Sequence, residues 1–179
     1  DAGSAGSLIF KHVFTQENPG CIDDYYKLQK KTIGEGSYGQ VYQGEDKATG
    51  AVRAVKAIDR SKISDTKRFE EEIQIQQQLD HPNIVKLYEV FKDAKRIYLV
   101  MELCTGGELF DRIMDETEKN DGANAFGEMQ CATYMQQILG AMLYLHTIRA
   151  GGKCFVHRDI KPENFLMQNT TTEAEIKVI

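Results

Sequence analysis

A chain of 179 residues holds one ordinary domain, or one and part of a second. Its 41% hydrophobic and 27% charged residues are those of a globular protein, and a formal net charge of −5 lacks the basic footprint of a general nucleic-acid binder. No run of about 18 apolar residues occurs, which argues against a membrane-spanning helix. The four cysteines, Cys21, Cys104, Cys131 and Cys154, form no C-x-x-C pair, so neither a disulfide framework nor a zinc site is expected and a reducing, cytoplasmic location is.

The first seven residues are Gly, Ala and Ser around one Asp, and read as a flexible tail or cloning remnant. Leu8-Ile9-Phe10 and Val13-Phe14 add a small apolar cluster able to dock on the domain, and Asn18-Pro19-Gly20 marks a turn at a boundary. Residues 1–24 are therefore set apart as an N-terminal tail.

From Tyr25 to Ile58 the pattern is β: a strand through Tyr26, Leu28 and Ile33, a second at Val41-Tyr42, and a third from Ala51 to Ile58 after an Ala48-Thr49-Gly50 turn. Between the first two runs Ile33-Gly34-Glu35-Gly36-Ser37-Tyr38-Gly39-Gln40-Val41, a G-x-G-x-x-G-x-V pattern. Glycines let a backbone approach phosphates and present amide hydrogens to them. A dinucleotide fold needs a helix directly after the glycines. Here Val41-Tyr42-Gln43-Gly44 continues as strand, so a flap over ATP is the better reading. In the third strand Ala54 and Lys56 share a face, and a lysine among apolar residues needs an anionic partner. The helix expected from Ser64 to Leu79 offers Glu70, Glu71 and Glu72, among which periodicity does not choose.

Two further strands are expected at Asn83–Phe91 and Lys95–Leu103. Cys104-Thr105-Gly106-Gly107 then bends towards a helix at about Glu108 to Met114. After a polar loop, Lys119 to Ala125, a longer helix from Gly127 to His146 carries Cys131, Met135, Ile138, Met142 and Leu145 at helical spacing, which reads as a core stripe. Gly127 with Gln130 is a weak capping signature. Arg149 to Lys153 is a loop, Phe165-Leu166-Met167 and Ile176 to Ile179 a short hairpin, and Asn169-Thr170-Thr171 a polar turn.

Before that hairpin stands His157-Arg158-Asp159-Ile160-Lys161-Pro162-Glu163-Asn164, an acid, an amine and an amide within six residues, matching H-R-D-x-x-x-x-N. Asp159 can accept a proton from a hydroxyl nucleophile, Lys161 can neutralise a phosphate oxygen, and the Asn164 carbonyl can hold a divalent metal, three of the parts that phosphoryl transfer needs. Pro162 disfavours a helix and pushes Lys161 towards an extended conformation, so a loop is expected.

With flap, strand lysine and His-Arg-Asp loop in this order, the chain resembles a serine/threonine protein kinase from about Tyr25 to Ile179. Leu79-Asp80-His81-Pro82-Asn83-Ile84-Val85, Gly106-Gly107-Glu108-Leu109 and Asp159 to Asn164 look most like the calcium/calmodulin-dependent group, and within it the calcium-dependent protein kinases of plants and protozoa. The resemblance implies an α+β protein kinase-like fold. A complete small lobe, a five-stranded antiparallel sheet plus one helix, would occupy residues 25–103, and the first part of a mainly helical large lobe residues 104–179.

It also implies roles. Gly34, Glu35, Gly36, Ser37, Tyr38 and Gly39 would cover the ATP phosphates, and Ile33, Val41, Ala54 and Leu166 would sandwich adenine. Lys56 would hold the α- and β-phosphates and Glu72 would pair with it. Met101 would be the gatekeeper, with the backbone of Glu102 and Cys104 bonding the adenine edge. Asp159 would be the catalytic base, Lys161 would steady the transferred group, and Asn164 would bind Mg2+. Glu108 and Glu163 match positions that favour basic residues upstream of the target Ser or Thr.

Two departures stand out. The family continues directly into Asp-Phe-Gly after the position of Ile179, and that aspartate is its main magnesium ligand. This chain is thus expected to be an inactive fragment, with exposed apolar surface that favours self-association and with any calcium-binding EF-hands lying outside it. Gln76 replaces a residue that is apolar in the family's regulatory packing column, which works against tight closure of the small lobe. A second class of function, a non-catalytic nucleotide-binding or docking module, is opposed for the parent protein by intact Lys56, Asp159 and Asn164 and stays open for the fragment by itself.

Overall fold

A computed structural model describes residues 16–36, 39–121, 126–147 and 154–179. Apolar alternation builds the sheet. Strand β4, Val52–Asp59, lies at its centre, flanked by β3 (Gly39–Asp46) and β6 (Arg96–Met101), with β2 (Tyr26–Gly36) and β5 (Leu87–Lys92) outside them. These five strands are antiparallel, as expected. Turn chemistry sets the hairpins. The Asp46 carboxylate accepts from the Ala48 and Thr49 amides at 2.8 Å while Gly50 takes φ +73°, and Asp93 accepts from the Lys95 and Arg96 amides at 2.7 Å.

A sixth strand was not anticipated. β1, Gln16–Asn18, pairs in parallel with β5 and covers its free edge. The short helix α1, Ile22–Tyr25, follows it and buries Ile22 to 3% exposure with Tyr26, Val55, Phe91 and Val100 on the outer face of the sheet. The described part of the expected tail thus packs on the lobe, because Ile22 and the Tyr25 and Tyr26 rings find Phe91 there. The apolar cluster at Leu8 to Phe14 lies outside the described residues.

The opposite face receives helix α2, Thr66–Gln76, whose Ile73 packs with Ile58, Leu87, Val90, Ile97 and Leu99. Asp65 caps it by accepting from the Arg68 amide at 3.0 Å. It ends three residues earlier than expected. The chain there tightens into short-range turns, with Gln78 and Leu79 amides bonding Ile75 and Gln76 carbonyls, before it reaches Pro82.

Beyond the linker, α3 spans Leu109–Lys119 and outruns its expected end by five residues, and α4 spans Glu128–His146 close to expectation. The strands β7 (Phe165–Met167) and β8 (Ile176–Val178) form the expected hairpin. They share a core with Ile84, Leu109 and the α4 residues Tyr134, Ile138, Ala141 and Leu145. The α4 stripe is therefore rotated from the expected one. Ile138 and Leu145 are buried, but Cys131 is exposed and Met135 is 51% exposed. This helix is apolar on nearly every face, so spacing alone admitted two arcs and packing chose the one with Tyr134 and Ala141. The expected Gly127–Gln130 cap does not form. Gln130 donates instead to the Tyr134 hydroxyl at 2.9 Å and the Thr172 carbonyl at 2.7 Å. Asn169 does make a polar turn, accepting from Thr171.

All four cysteines are free, and no helix among the described residues is long and apolar enough to cross a membrane.

Candidate active site

Residues directly opposite one another in antiparallel strands project to the same face. Val41 stands opposite Lys56, Lys56 opposite Leu99, and Ala54 opposite Met101, so the suspected adenine and phosphate contacts of the sheet share one surface, the α2 side. The flap closes over it. Gly34, Glu35 and Gly36 pair with Val41, Gln40 and Gly39, and a Cβ on Gly36 would lie 4.0 Å from Lys56 Cε. The tip residues Ser37 and Tyr38 lie outside the described residues, while Ile33 stands nearly half exposed at the mouth. Gly39 is packed hardest. A Cβ there would sit 1.9 Å from the Ala57 carbonyl oxygen.

Lys56 is partly buried, and burial lowers its pKa. No carboxylate among the described residues forms an ion pair with it. The expected Lys56–Glu72 pair is not formed. Glu72 bonds Arg68 on its own helix at 3.3 Å, with both side chains more than half exposed, a contact worth about 0.3–0.5 kcal/mol. Glu72 lines a cleft of about 630 Å³ between α2 and residues 154–159, a cleft that also receives Arg68, His157 and Asp159. A local partner one helical turn away costs little ordering.

Gln76 sits below. It is half-buried at a cavity of about 200 Å³ with Leu79, Ile84, Leu145, Phe155 and Val178. An amide facing apolar side chains loses water without a matching gain. Gln76→Leu is expected to raise unfolding free energy by about 1 kcal/mol, read from the denaturant midpoint. A lower midpoint would show that the amide is well solvated there.

The linker from Glu102 to Gly107 hugs the β7–β8 hairpin. Thr105 and Gly106 amides donate to the Gln168 and Met167 carbonyls at 3.0 Å, and Glu108 bridges to Leu166. Leu166 thereby comes under the linker, in which burial and then the Glu102 carboxylate push the Cys104 thiol up to about 11.

The His157–Asn164 loop is held from several sides. Arg158 takes φ +67°, a conformation uncommon outside glycine and frequent where loops store strain for function. His157 Nε2 lies 2.8 Å from the Ile179 carbonyl, and its Nδ1 accepts from the Asp159 amide at 3.3 Å, so a neutral ring with its proton on Nε2 satisfies both. Lys161 is extended, as expected, and Pro162 starts a single 3₁₀ turn through Asn164. Asn164 Nδ2 donates to the Asp159 carbonyl and carboxylate at 2.7 Å, and Lys161 Nζ lies 3.0 Å from the same Asp159 Oδ2. Acid, amine and amide thus converge within one carboxylate's reach.

Those contacts lower the Asp159 pKa, chiefly through the Lys161 hydrogen bond and then through Asn164. The folded value lies below the unfolded one, so the stabilisation they bring is present above the unfolded pKa and fades as pH falls through the folded pKa. The Asp159 carboxyl is expected to titrate below 3.8 by NMR, and Lys161→Ala should move that midpoint upwards. An unmoved midpoint would mean that the ammonium does not set it.

Two residues at this site escaped sequence reasoning. Lys177, inside an apolar strand, is 6% exposed and pairs with the Glu102 carboxylate at 2.8 Å. Asn83 is buried and donates to the Ile176 carbonyl at 3.0 Å. The rule applied to Lys56, that a lysine among apolar residues needs an anion, points equally to Lys177.

Residues 27–179 match the model of the protein kinase domain. The chain belongs to the protein kinase family. This kinase chain is 44% identical over 160 residues, 89% of its length, to calcium-dependent protein kinase 3 of Plasmodium yoelii yoelii. It is 42% identical over 173 residues, 97% of its length, to calcium-dependent protein kinase 5 of Plasmodium falciparum. A probable myosin light chain kinase of Dictyostelium discoideum is 42% identical over 146 residues, 82% of the chain. The kinase chain spans 28% of each of the two Plasmodium relatives and 42% of the Dictyostelium one. The family resemblance drawn from the motifs is borne out. Protein kinases use ATP, a divalent metal and protein substrates.

Proposed function

We propose that this chain carries the ATP-binding lobe and catalytic loop of a serine/threonine kinase that moves the γ-phosphate of Mg-ATP to a Ser or Thr hydroxyl. The observation that carries the reading is the Asp159 carboxylate held at once by Lys161 and Asn164, 2.7–3.0 Å away. In this reading Asp159 orients the hydroxyl and accepts its proton, and Lys161 lies ready to neutralise charge on the transferred group. Adenine lies between Ile33, Val41 and Ala54 above and Leu166 below, behind it Met101, with its edge on the main chain of Glu102 and Cys104. Gly34 to Gly39 cover the phosphates and Lys56 meets them. Its partly buried ammonium, without a carboxylate partner among the described residues, suits an anionic ligand.

The metal-binding role falls to Asn164. Both contacts it makes to Asp159 use Nδ2, which leaves Oδ1 as a hard oxygen donor next to a carboxylate, a donor set that fits Mg2+ with retained waters. The cation, when bound, would neutralise phosphate charge. The chain's own residues position it and the nucleotide.

The finer features follow the relatives. Calcium control would act through parts of the protein outside this chain. Glu108 and Glu163, both exposed, would favour basic residues near the target hydroxyl. A cytoplasmic location suits four free thiols. The exposed α4 side chains Met129 (81%), Leu143 (71%) and Leu139 would drive self-association of the chain by itself, testable by light scattering across concentrations.

A second reading, a nucleotide-binding or docking module without transfer, draws on the Glu72–Arg68 contact, which leaves Lys56 without its helix partner. Phosphotransfer assays on the full-length protein, with Asp159→Asn beside wild type, decide between the two.

A further inference from the structure

One buried ion pair has no part in the roles assigned so far. Lys177 Nζ lies 2.8 Å from Glu102 Oε1, with the two side chains 7% and 17% exposed. The other carboxylate oxygen accepts from the Lys86 amide at 3.4 Å, and the Glu102 amide donates to the Lys86 carbonyl at 2.9 Å. Glu102 is therefore fixed on both its main chain and its side chain. Lys177 is fixed as well. It stands opposite Leu166 in the β7–β8 hairpin and so projects to the same face, while its neighbours Ile176 and Val178 point into the core. Asn83 ties β8 down on both sides of Lys177, through its side chain to the Ile176 carbonyl and its carbonyl to the Val178 amide.

The pair thus connects the linker segment expected to read the adenine edge with the strand pair that carries the floor beneath adenine. We propose that Glu102 and Lys177 are positioning residues for base recognition: their ion pair fixes the distance between the linker main chain at Glu102–Cys104 and the Leu166 side chain. This inference rests on the nucleotide reading above. A pair this buried costs desolvation, and apolar or neutral residues of similar size would often be at least as stable. Its value is geometric. Two hard points joined by a short, directional contact hold a slot more narrowly than apolar packing does.

The test uses the present chain with Glu102→Gln and Lys177→Met together, which removes both charges and keeps similar volumes. Wild type and variant are titrated with ADP and with tripolyphosphate, and amide exchange is followed at Cys104, Thr105 and Gly106. The variant is expected to lose on the order of tenfold in ADP affinity. Tripolyphosphate binding should be unchanged and linker exchange faster. Equal losses for ADP and tripolyphosphate would indicate general loosening and overturn the proposal, as would unchanged ADP affinity. If wild type bound no adenine nucleotide, the nucleotide reading would fall by itself, and unchanged linker exchange would separately overturn the clamp. Should the double variant fail to fold, Glu102→Gln alone retains an amide oxygen for Lys177 and serves in the same comparison.

Discussion

Asp159→Asn is expected to lower phosphoryl transfer by about 10³-fold in the full-length protein while leaving ATP affinity within about twofold. Asparagine keeps the shape and one oxygen for Lys161 or Asn164, so the loop should hold its course. It loses the basic oxygen that takes the hydroxyl proton. The side chain is exposed and its contacts to Lys161 and Asn164 stay within its own loop, so the variant is expected to fold. The measurement is initial transfer rate to a Ser-containing basic peptide, with nucleotide titration alongside. A variant that kept full activity would sink the assignment. A variant that lost ATP binding as well would show that Asp159 acts through loop structure.

Gly39→Ala is expected to cost about 3 kcal/mol of unfolding free energy, whereas Gly34→Ala should cost less than about 1 kcal/mol. The three flap glycines look equivalent by pattern, and the structure separates them. An added Cβ at Gly39 would meet the Ala57 carbonyl oxygen at 1.9 Å, a backbone atom in the central strand that cannot move without breaking the β3–β4 ladder. At Gly34 the nearest atoms are Val41 side-chain carbons at 3.7–3.8 Å, an ordinary contact. Chemical denaturation of the two variants makes the comparison. Equal costs would mean that the ladder at Gly39 yields easily. Because the strand displaced would be the one carrying Lys56, ATP affinity should fall with Gly39→Ala in the full-length protein too.

Local rules carried far in this chain. The Ala48-Thr49-Gly50 turn, the extended Lys161 before Pro162, and the sharing of one face by Ala54 and Lys56 depend on neighbours in sequence, and all were legible there. Where several residues met a rule equally well, pattern reading failed. On α4, apolar side chains cover most of the surface, and only contact with β8 and the Ile84 segment selected Tyr134 and Ala141 over Met135 and Cys131. Strand β1 was invisible for another reason. Three polar or charged residues have no strand pattern, and their pairing comes from the open edge of β5.

The sequence alone determined the chemistry: an acid, an amine and an amide in one short loop, a glycine-rich hairpin, and a strand lysine three residues before its end. Their order and spacing were enough to specify the family. Tertiary structure decided which charges meet. Two lysines sat in apolar strands under the same demand for an anion. Lys177 found Glu102 at 2.8 Å because β8 runs beneath the linker, while Glu72 is paired with Arg68 one turn away on its own helix and forms no ion pair with Lys56. Ion pairing between segments far apart in sequence depends on distance and burial in three dimensions, and there neither quantity can be read from residue spacing.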